Sequence, residues 1–280
     1  MDAESNQLLE ELAKKDAQIK ELNKKLNETE QKLNELNRDL EQRVIERTVE
    51  VNRLLLHKTK FIDNLSHDLG TPLTPLLALL PIIKEEVKTP KSKEIVDTCI
   101  RNAEYIKRVV NNAKKLAELS ITDLYLKKEN LLEIVRNLEQ KYDIVFKRFN
   151  INIENNIDEN IFVKTEKSRL TEVFDHIYSN AVNSMPDGGK LTFDAEIVAK
   201  KTGSFIEIAI SDTGIGLSSD KVDHLFDEFF KVDESRHKLD STGLGLAICK
   251  RIVEKHGGKI WAKSQGEGQG TTIFFTIPSG

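Results

Sequence analysis

Three groups of residues in this chain have the types and spacings that do chemistry. The first is NLSHDLGTPL, residues 64 to 73, where His67 stands beside Asp68 and one helical turn before Thr71. A neighbouring carboxylate can hydrogen-bond one ring nitrogen and fix the tautomer. The other nitrogen is then a nucleophile whose developing positive charge the carboxylate stabilises. Thr71 shares the face of His67, so its hydroxyl could hold a water near a group carried there. The second group is DTGIGL, with Asp212, Gly214 and Gly216 at the end of a strand pattern. The third is TGLGLA, with Thr242, Gly243, Leu244 and Gly245 opening a helix pattern. Glycines there allow close backbone approach to an anion, and the first turn of the helix offers free N–H groups to phosphate. Neither cluster fits a dinucleotide fingerprint or a P-loop. Asn180, on a preceding helix pattern, adds an amide oxygen that can complete the coordination of a magnesium ion held by nucleotide phosphates. Lys231, Arg236 and Lys238 lie between the clusters, where they can balance phosphate charge. Each alone is an ordinary solvated surface residue, just as a lone exposed histidine or glycine pair is ordinary.

The elements that must position these groups follow from periodicity. Leu8, Leu12, Lys15, Ile19, Leu22, Leu26, Thr29, Leu33, Leu36 and Leu40 alternate steps of four and three, a heptad seam with no glycine or proline in it. This predicts a parallel coiled coil. Beyond Leu40 the seam passes through Val44, Thr48, Val51 and Leu55, where steps of four follow one another; such a stutter locally unwinds the supercoil. The helical pattern continues through Phe61, Ile62, Leu65, Leu69 and Leu73, which places His67 on the opposite, solvent side. Pro72 lacks an N–H and meets the carbonyl of Asp68, so a bend just past the histidine is expected. Pro75 and Pro81 predict further irregularity. A second amphipathic helix over about 92 to 118, after a turn at Lys88 to Lys91, makes an antiparallel hairpin. Two such hairpins would bury their apolar faces as a four-helix bundle. Past Leu119 come a helix near 130 to 147, strand-like INIENNI, a helix from Lys167 to Ser184, and the strand-like runs KLTFDAEIV, FIEIAIS, IWAKS and TTIFFTIP. Strands and helices without strict alternation predict an α/β sandwich on a mixed or antiparallel sheet. The fold class is therefore multidomain α and α+β, with a coiled coil at 1–55, a helical hairpin at 56–120 and an α/β sandwich at 121–280.

Composition narrows the function classes. The chain has 280 residues, 39% hydrophobic and 31% charged, too charged for one compact core throughout. A net charge of -4 with interleaved signs gives no drive toward nucleic acid. Cys99 and Cys249 are far apart and form neither a disulfide framework nor a metal pair, which suits a reducing compartment. No apolar run reaches bilayer length and the N-terminus lacks the order of a secretory leader, so a cytoplasmic chain without a membrane segment is expected.

The order of these elements resembles the sensor histidine kinases of two-component signalling over about residues 56 to 280. FIDNLSHDLGTPL is similar to the phosphoacceptor box and SNAVNSMPDGG to the asparagine box. DTGIGL, LFDEFF and TGLGLA are similar to the next three boxes. The resemblance implies that His67 accepts phosphate, that Asp68 is its acid/base partner and that Thr71 assists phosphatase chemistry. Asn180 would coordinate Mg2+ and Asp212 would bond the adenine amino group of ATP. Gly214, Gly216, Gly243 and Gly245 would shape the pocket, with Asn183, Thr242, Leu244, Phe226 and the three basic residues around the nucleotide; Phe230 also matches the phenylalanine box. A homodimer and a response-regulator receiver domain are the implied partners. Three departures stand out. Gly70 replaces the usual arginine, His176 replaces an asparagine one turn before Asn180, and Asn183, Ser184 and Met185 replace a basic-aromatic pattern.

Two other functions compete. A gyrase-like ATPase would use only the second half and would want a glutamate where His176 stands, to activate water. A catalytically silent interaction module would show decayed motifs, whereas His67, Asn180, Asp212 and the four glycines are intact. Autophosphorylation uses both halves.

Overall fold

The computed structural model describes residues 2–200, 203–231 and 241–280, with side chains from residue 14 onward except 16, 17 and 200. It divides into two compact units, Met1–His57 and Lys58–Gly280.

The described residues of the first unit are all helical. Its seam residues Leu22, Leu26, Leu33, Leu36 and Leu40 are all at least half exposed in the single chain, as expected of a seam that only a second helix can cover. Thr29, the polar break in the seam, donates its hydroxyl to the carbonyls of Lys25 and Leu26.

The second unit opens with the end of helix α1, assigned over Asp2–Glu86. Contrary to the expected irregularity, α1 is helical without a break through Pro72, Pro75 and Pro81. The prolines remove bonds to the carbonyls of Asp68, Thr71 and Leu77. Asp68 and Thr71 are exposed and Leu77 is half-buried, so water can take these bonds. The Thr71 and Thr74 hydroxyls also donate to the carbonyls of His67 and Gly70. Helix α2 covers Pro90–Ile121; Thr89 caps it by accepting from Ser92 N, and Pro90 is the first helical residue, not part of the turn. Its antiparallel packing on α1 is tied by Lys84–Asp97 at 2.6 Å and by the Thr59 hydroxyl on the Ala117 carbonyl.

The rest is a sandwich. Strands β2 (Ile151–Asn155), β4 (Gly189–Lys200), β5 (Gly203–Asp212), β6 (Ile260–Lys263) and β7 (Thr271–Pro278) form one sheet in the order β2-β4-β5-β7-β6. Only the β2–β4 pair is parallel, so the sheet is mixed, as predicted. Strands β1 (Lys127–Asn130) and β3 (Phe162–Thr165) form a separate antiparallel pair. Neither was foreseen, because KKEN and FVKT are too short to show a period. Helices α3 (Leu131–Arg148), α4 (Lys167–Ser184) and α6 (Gly245–Lys255) cover one face of the large sheet, and a short α5 (Ser219–Val222) precedes the LFDEFF segment. The inward residues Leu191, Phe193, Ile206, Ile208, Ile210, Ile273, Phe275 and Ile277 alternate along their strands and are buried. Tyr178, on α4, sits among Tyr142, Phe146, Phe174 and Phe193. Leu119, near the end of α2, is wholly buried in this same core.

Candidate functional site

His67 is carried on α1 with its side chain 82% exposed, and Asp68 beside it is 76% exposed. The His67 Nδ1 lies 3.4 Å from Asp68 Oδ1. With Nδ1–H turned toward the carboxylate, Nε2 is an unprotonated nitrogen open to solvent. Thr71 stands one turn on, but its hydroxyl proton is committed to the His67 carbonyl at 2.8 Å, which leaves its lone pairs outward. Gly70, a departure from the arginine common in the resembled family, has nothing within 4 Å of where a Cβ would stand.

The second constellation gathers where β5 ends and α4 and α6 meet. Asp212, the last residue of β5, accepts from Gly214 N at 2.8 Å through Oδ1. Burial pushes its carboxyl above the ordinary carboxylate range, opposed by hydrogen bonds from Gly214, Ser184 and Thr271. A half-buried aspartate at a strand end, next to glycines, suits a base amino group as donor. Gly216 has φ +63° and a Cβ there would meet the Gly266 carbonyl. Gly243 has φ +70° and a Cβ would stand 2.7 Å from the Phe229 carbonyl carbon. At these two places only glycine fits both the left-handed backbone and the space. Gly214 packs on Ser184, and Gly245 opens α6 against the ring of His176. Thr242 is buried and its hydroxyl accepts from Leu244 N at 3.3 Å. Asn180 is half-buried on α4, with no side-chain hydrogen bond among the described residues; Asn183, one helical turn on, is exposed. Phe226 is buried, whereas Phe230 is half-buried beside the His224 ring. Lys231 is half-buried; Arg236 and Lys238 lie outside the described residues.

The donor set fits a nucleotide with magnesium. The first turn of α6 carries backbone N–H groups that the helix itself does not bond, the Asn180 amide oxygen is uncommitted among the described residues, and no cluster of three or more metal-ligating side chains occurs among them. An ion here would take most of its oxygens from phosphates and water, as magnesium does. His176 adds a buried Nε2 without a hydrogen-bond partner. Burial pulls its pKa down, reinforced by Lys115 and opposed by the carboxylates of Glu172 and Asp175, so the ring is neutral at pH 7.

Several site residues were not foreseen. Phe229 has φ 64° and donates its N–H to the Gly243 carbonyl at 2.9 Å, joining the LFDEFF segment to the TGLGLA turn. Ser264 accepts from Leu217 N and donates to the Gly270 carbonyl, holding the DTGIGL loop. Tyr105, Asn112 and Lys115 of α2 reach Lys231, Thr242 and Glu172. The seven-residue spacing of Tyr105 and Asn112 was a visible signal for one helix face, but nothing in the sequence says what that face meets.

Comparison with known proteins agrees with this arrangement. A domain described as the His Kinase A (phospho-acceptor) domain matches residues 57–120, and the histidine kinase-, DNA gyrase B-, and HSP90-like ATPase domain matches residues 165–280. The sensor histidine kinase WalK of Bacillus subtilis is 33% identical over 247 residues. This chain belongs to the sensor histidine kinases. The match to the Bacillus protein covers 84% of this chain and 39% of that one, so the chain spans about two fifths of the relative's length. Sensor protein kinase WalK of Staphylococcus aureus is 30% identical over 240 residues, covering 84% of this chain and 57% of that protein. Among solved structures, the Acinetobacter baumannii histidine kinase AdeS superposes with a TM-score of 0.55 at 23% identity, covering 76% of this chain and 97% of that one. Full-length ShkA in complex with AMPPNP superposes with a TM-score of 0.62 at 22% identity, over 79% of this chain and 46% of that one. At those identities the likeness is one of fold. Among the described residues, no helix is long and apolar enough to cross a membrane.

Proposed function

We propose that this histidine kinase transfers the γ-phosphoryl group of ATP to His67 and passes it on to an aspartate of a separate receiver domain. The observation that carries this is the pairing, within one compact unit, of an exposed carboxylate-partnered histidine with a strand-end aspartate, two glycine turns and an uncommitted amide. Asp68 holds Nδ1–H and stabilises the cationic ring, while the Nε2 lone pair attacks phosphorus in line as the bond to the ADP oxygen breaks. Asp212 receives the adenine amino group, and the α6 turn with Thr242, Gly243, Leu244 and Gly245 lines the phosphates. Asn180 holds the magnesium ion, which when bound would neutralise charge on the transferring group. Asn183, Phe226, Lys231, Arg236 and Lys238 stand around the same nucleotide. Thr71, with its lone pairs outward, orients a water that attacks the phosphorylated aspartate of the receiver domain, releasing inorganic phosphate and the free carboxylate.

The three-part division at 1–55, 56–120 and 121–280 belongs to the same proposal. The exposed Phe61, Leu65, Leu69, Leu76 and Ile106 of the hairpin give it an apolar face that a second copy would cover, which supports a homodimer. Water-activating hydrolysis is disfavoured. His176 stands where the base would be, and the nearby Glu172 is engaged by Lys115 at 2.6 Å and Arg169 at 3.0 Å. The test is labelling with γ-labelled ATP: His67→Gln should lose all acid-labile label and keep nucleotide binding. Label persisting in that variant would move the acceptor elsewhere.

A further inference from the structure

Helix α2 meets the nucleotide side of the sandwich through contacts of two kinds. At its end the contact is apolar, with Leu119 wholly inside the core and Leu116 packed against it. Earlier along the helix the contacts are polar and separate. Lys115 Nζ donates to Glu172 Oε1 at 2.6 Å, and Asn112 Nδ2 donates to Thr242 Oγ1 at 3.0 Å. Lys231 Nζ donates to the Tyr105 hydroxyl at 3.3 Å and lies 5.1 Å from the centroid of its ring. Two of these three ties engage Thr242 and Lys231, which the proposed site assigns to nucleotide. The phenol oxygen and ring face of Tyr105 give the Lys231 ammonium the electron-rich surroundings that a phosphate oxygen would give. The Asn112 amide, in turn, uses a lone pair of the Thr242 hydroxyl at the turn that opens α6.

We propose that α2 and the nucleotide compete for Lys231 and Thr242, so that the hairpin helix holds the site in a low-affinity form and nucleotide binding releases Tyr105 and Asn112. This rests on the nucleotide-binding function proposed above. The apolar anchor at Leu116 and Leu119 keeps the helix attached while the polar ties exchange. Each tie is of the kind that shifts an equilibrium only a few-fold, which makes it breakable by a ligand. A ligand that needs both groups binds only the fraction of molecules in which they are free, so its apparent affinity is lowered by that fraction. The coupling is reciprocal: whatever frees α2 tightens nucleotide binding.

The test is calorimetric titration of the full chain with a non-hydrolysable ATP analogue and magnesium, for the parent, Asn112→Ala, Tyr105→Leu and the double variant. Alanine is the strongest helix former and leucine keeps an apolar side chain, so α2 is retained, and thermal melts of both singles check this. Each single variant should bind about three-fold tighter and the double variant about ten-fold tighter than the parent. If the parent binds the analogue and every variant that melts like the parent binds equally or more weakly, the competition is overturned while the nucleotide site stands. If the parent binds no analogue, both proposals fall.

Discussion

In the proposed site a single amide, that of Asn180, would decide how much of the metal's position the protein controls. Its side chain is half-buried and uncommitted among the described residues, and one turn earlier on the same helix stands the buried, unpartnered Nε2 of His176. With no metal-ligating cluster among the described residues to substitute, truncation would leave a magnesium ion in the proposed site held by phosphates and water. Asn180→Ala is therefore expected to lower the rate of autophosphorylation by about a hundred-fold or more, in line with the loss of a group that steadies a transferring phosphoryl. The rate of label incorporation at saturating ATP and graded magnesium checks this. An unchanged rate at limiting magnesium would remove Asn180 from the metal site. His67 poses the opposite case, since its 82% exposure means that nothing around it needs to move for a second domain to reach it.

Helix ends are joined at His256, and there the chemistry is structural. Its Nε2 accepts from Glu166 N at 3.3 Å, which makes that nitrogen the unprotonated one, and Nδ1–H donates to the Ile252 carbonyl at 2.8 Å. Thr165 Oγ1 lies 3.0 Å from the same Nε2. One buried neutral ring thus ties the end of α6 to the start of α4, the helix that carries Asn180 and that has no side-chain cap of its own. Replacement by leucine would leave the Glu166 N–H without its partner and the Ile252 carbonyl with only the backbone N–H of residue 256, so His256→Leu is expected to cost about 2 to 4 kcal/mol of stability, read from denaturant unfolding. Burial lowers the His256 pKa below its ordinary 6.5. The unfolded chain therefore takes up a proton as pH falls through 6.5, while the folded chain resists it. The ring's stabilisation is complete above that value and is lost as pH falls below it toward the folded value. Thermal melts at pH 7.5 and 5.5 should show a larger drop for the parent than for His256→Leu; equal drops would mean that His256 does not titrate on unfolding.

On the scale of the whole chain, the N-terminal unit presents a seam with a change of register and the C-terminal unit presents a histidine and a proposed ATP site. If the coiled coil passes signal as rotation, output depends on the phase of the seam more than on its length. Deleting a heptad, residues 20 to 26, preserves phase. Deleting four residues there rotates the upstream seam by roughly 40° at ~100° per residue. The expected outcome is a nearly unchanged ratio of kinase to phosphatase activity after the heptad deletion and a shifted ratio after the four-residue deletion, with both assayed on purified protein. Equal ratios would reduce the seam to a device for holding two chains together.

What the sequence determined was whatever depends on local pattern. The heptad leucines, the bounds of α4 from Lys167 to Ser184, the glycine turns around Asp212 and Gly243, and the exposure of His67 all follow from spacings of a few residues, where backbone sterics and side-chain period act directly. The irregularity expected of α1 does not appear because a proline's cost depends on whether water can take the carbonyls it frees, as at the exposed Asp68 and Thr71. Strands β1 and β3 escaped because four residues carry too little period; pairing with each other, and Val163 with Ser279, defines them. Only the tertiary structure could place Leu119 in the sandwich core, set Phe229 on Gly243, and bring Tyr105 and Asn112 to Lys231 and Thr242. Those contacts join residues more than a hundred positions apart in several cases, and they arise from where whole helices come to rest. No local rule encodes that, because many sequences with the same period would rest elsewhere.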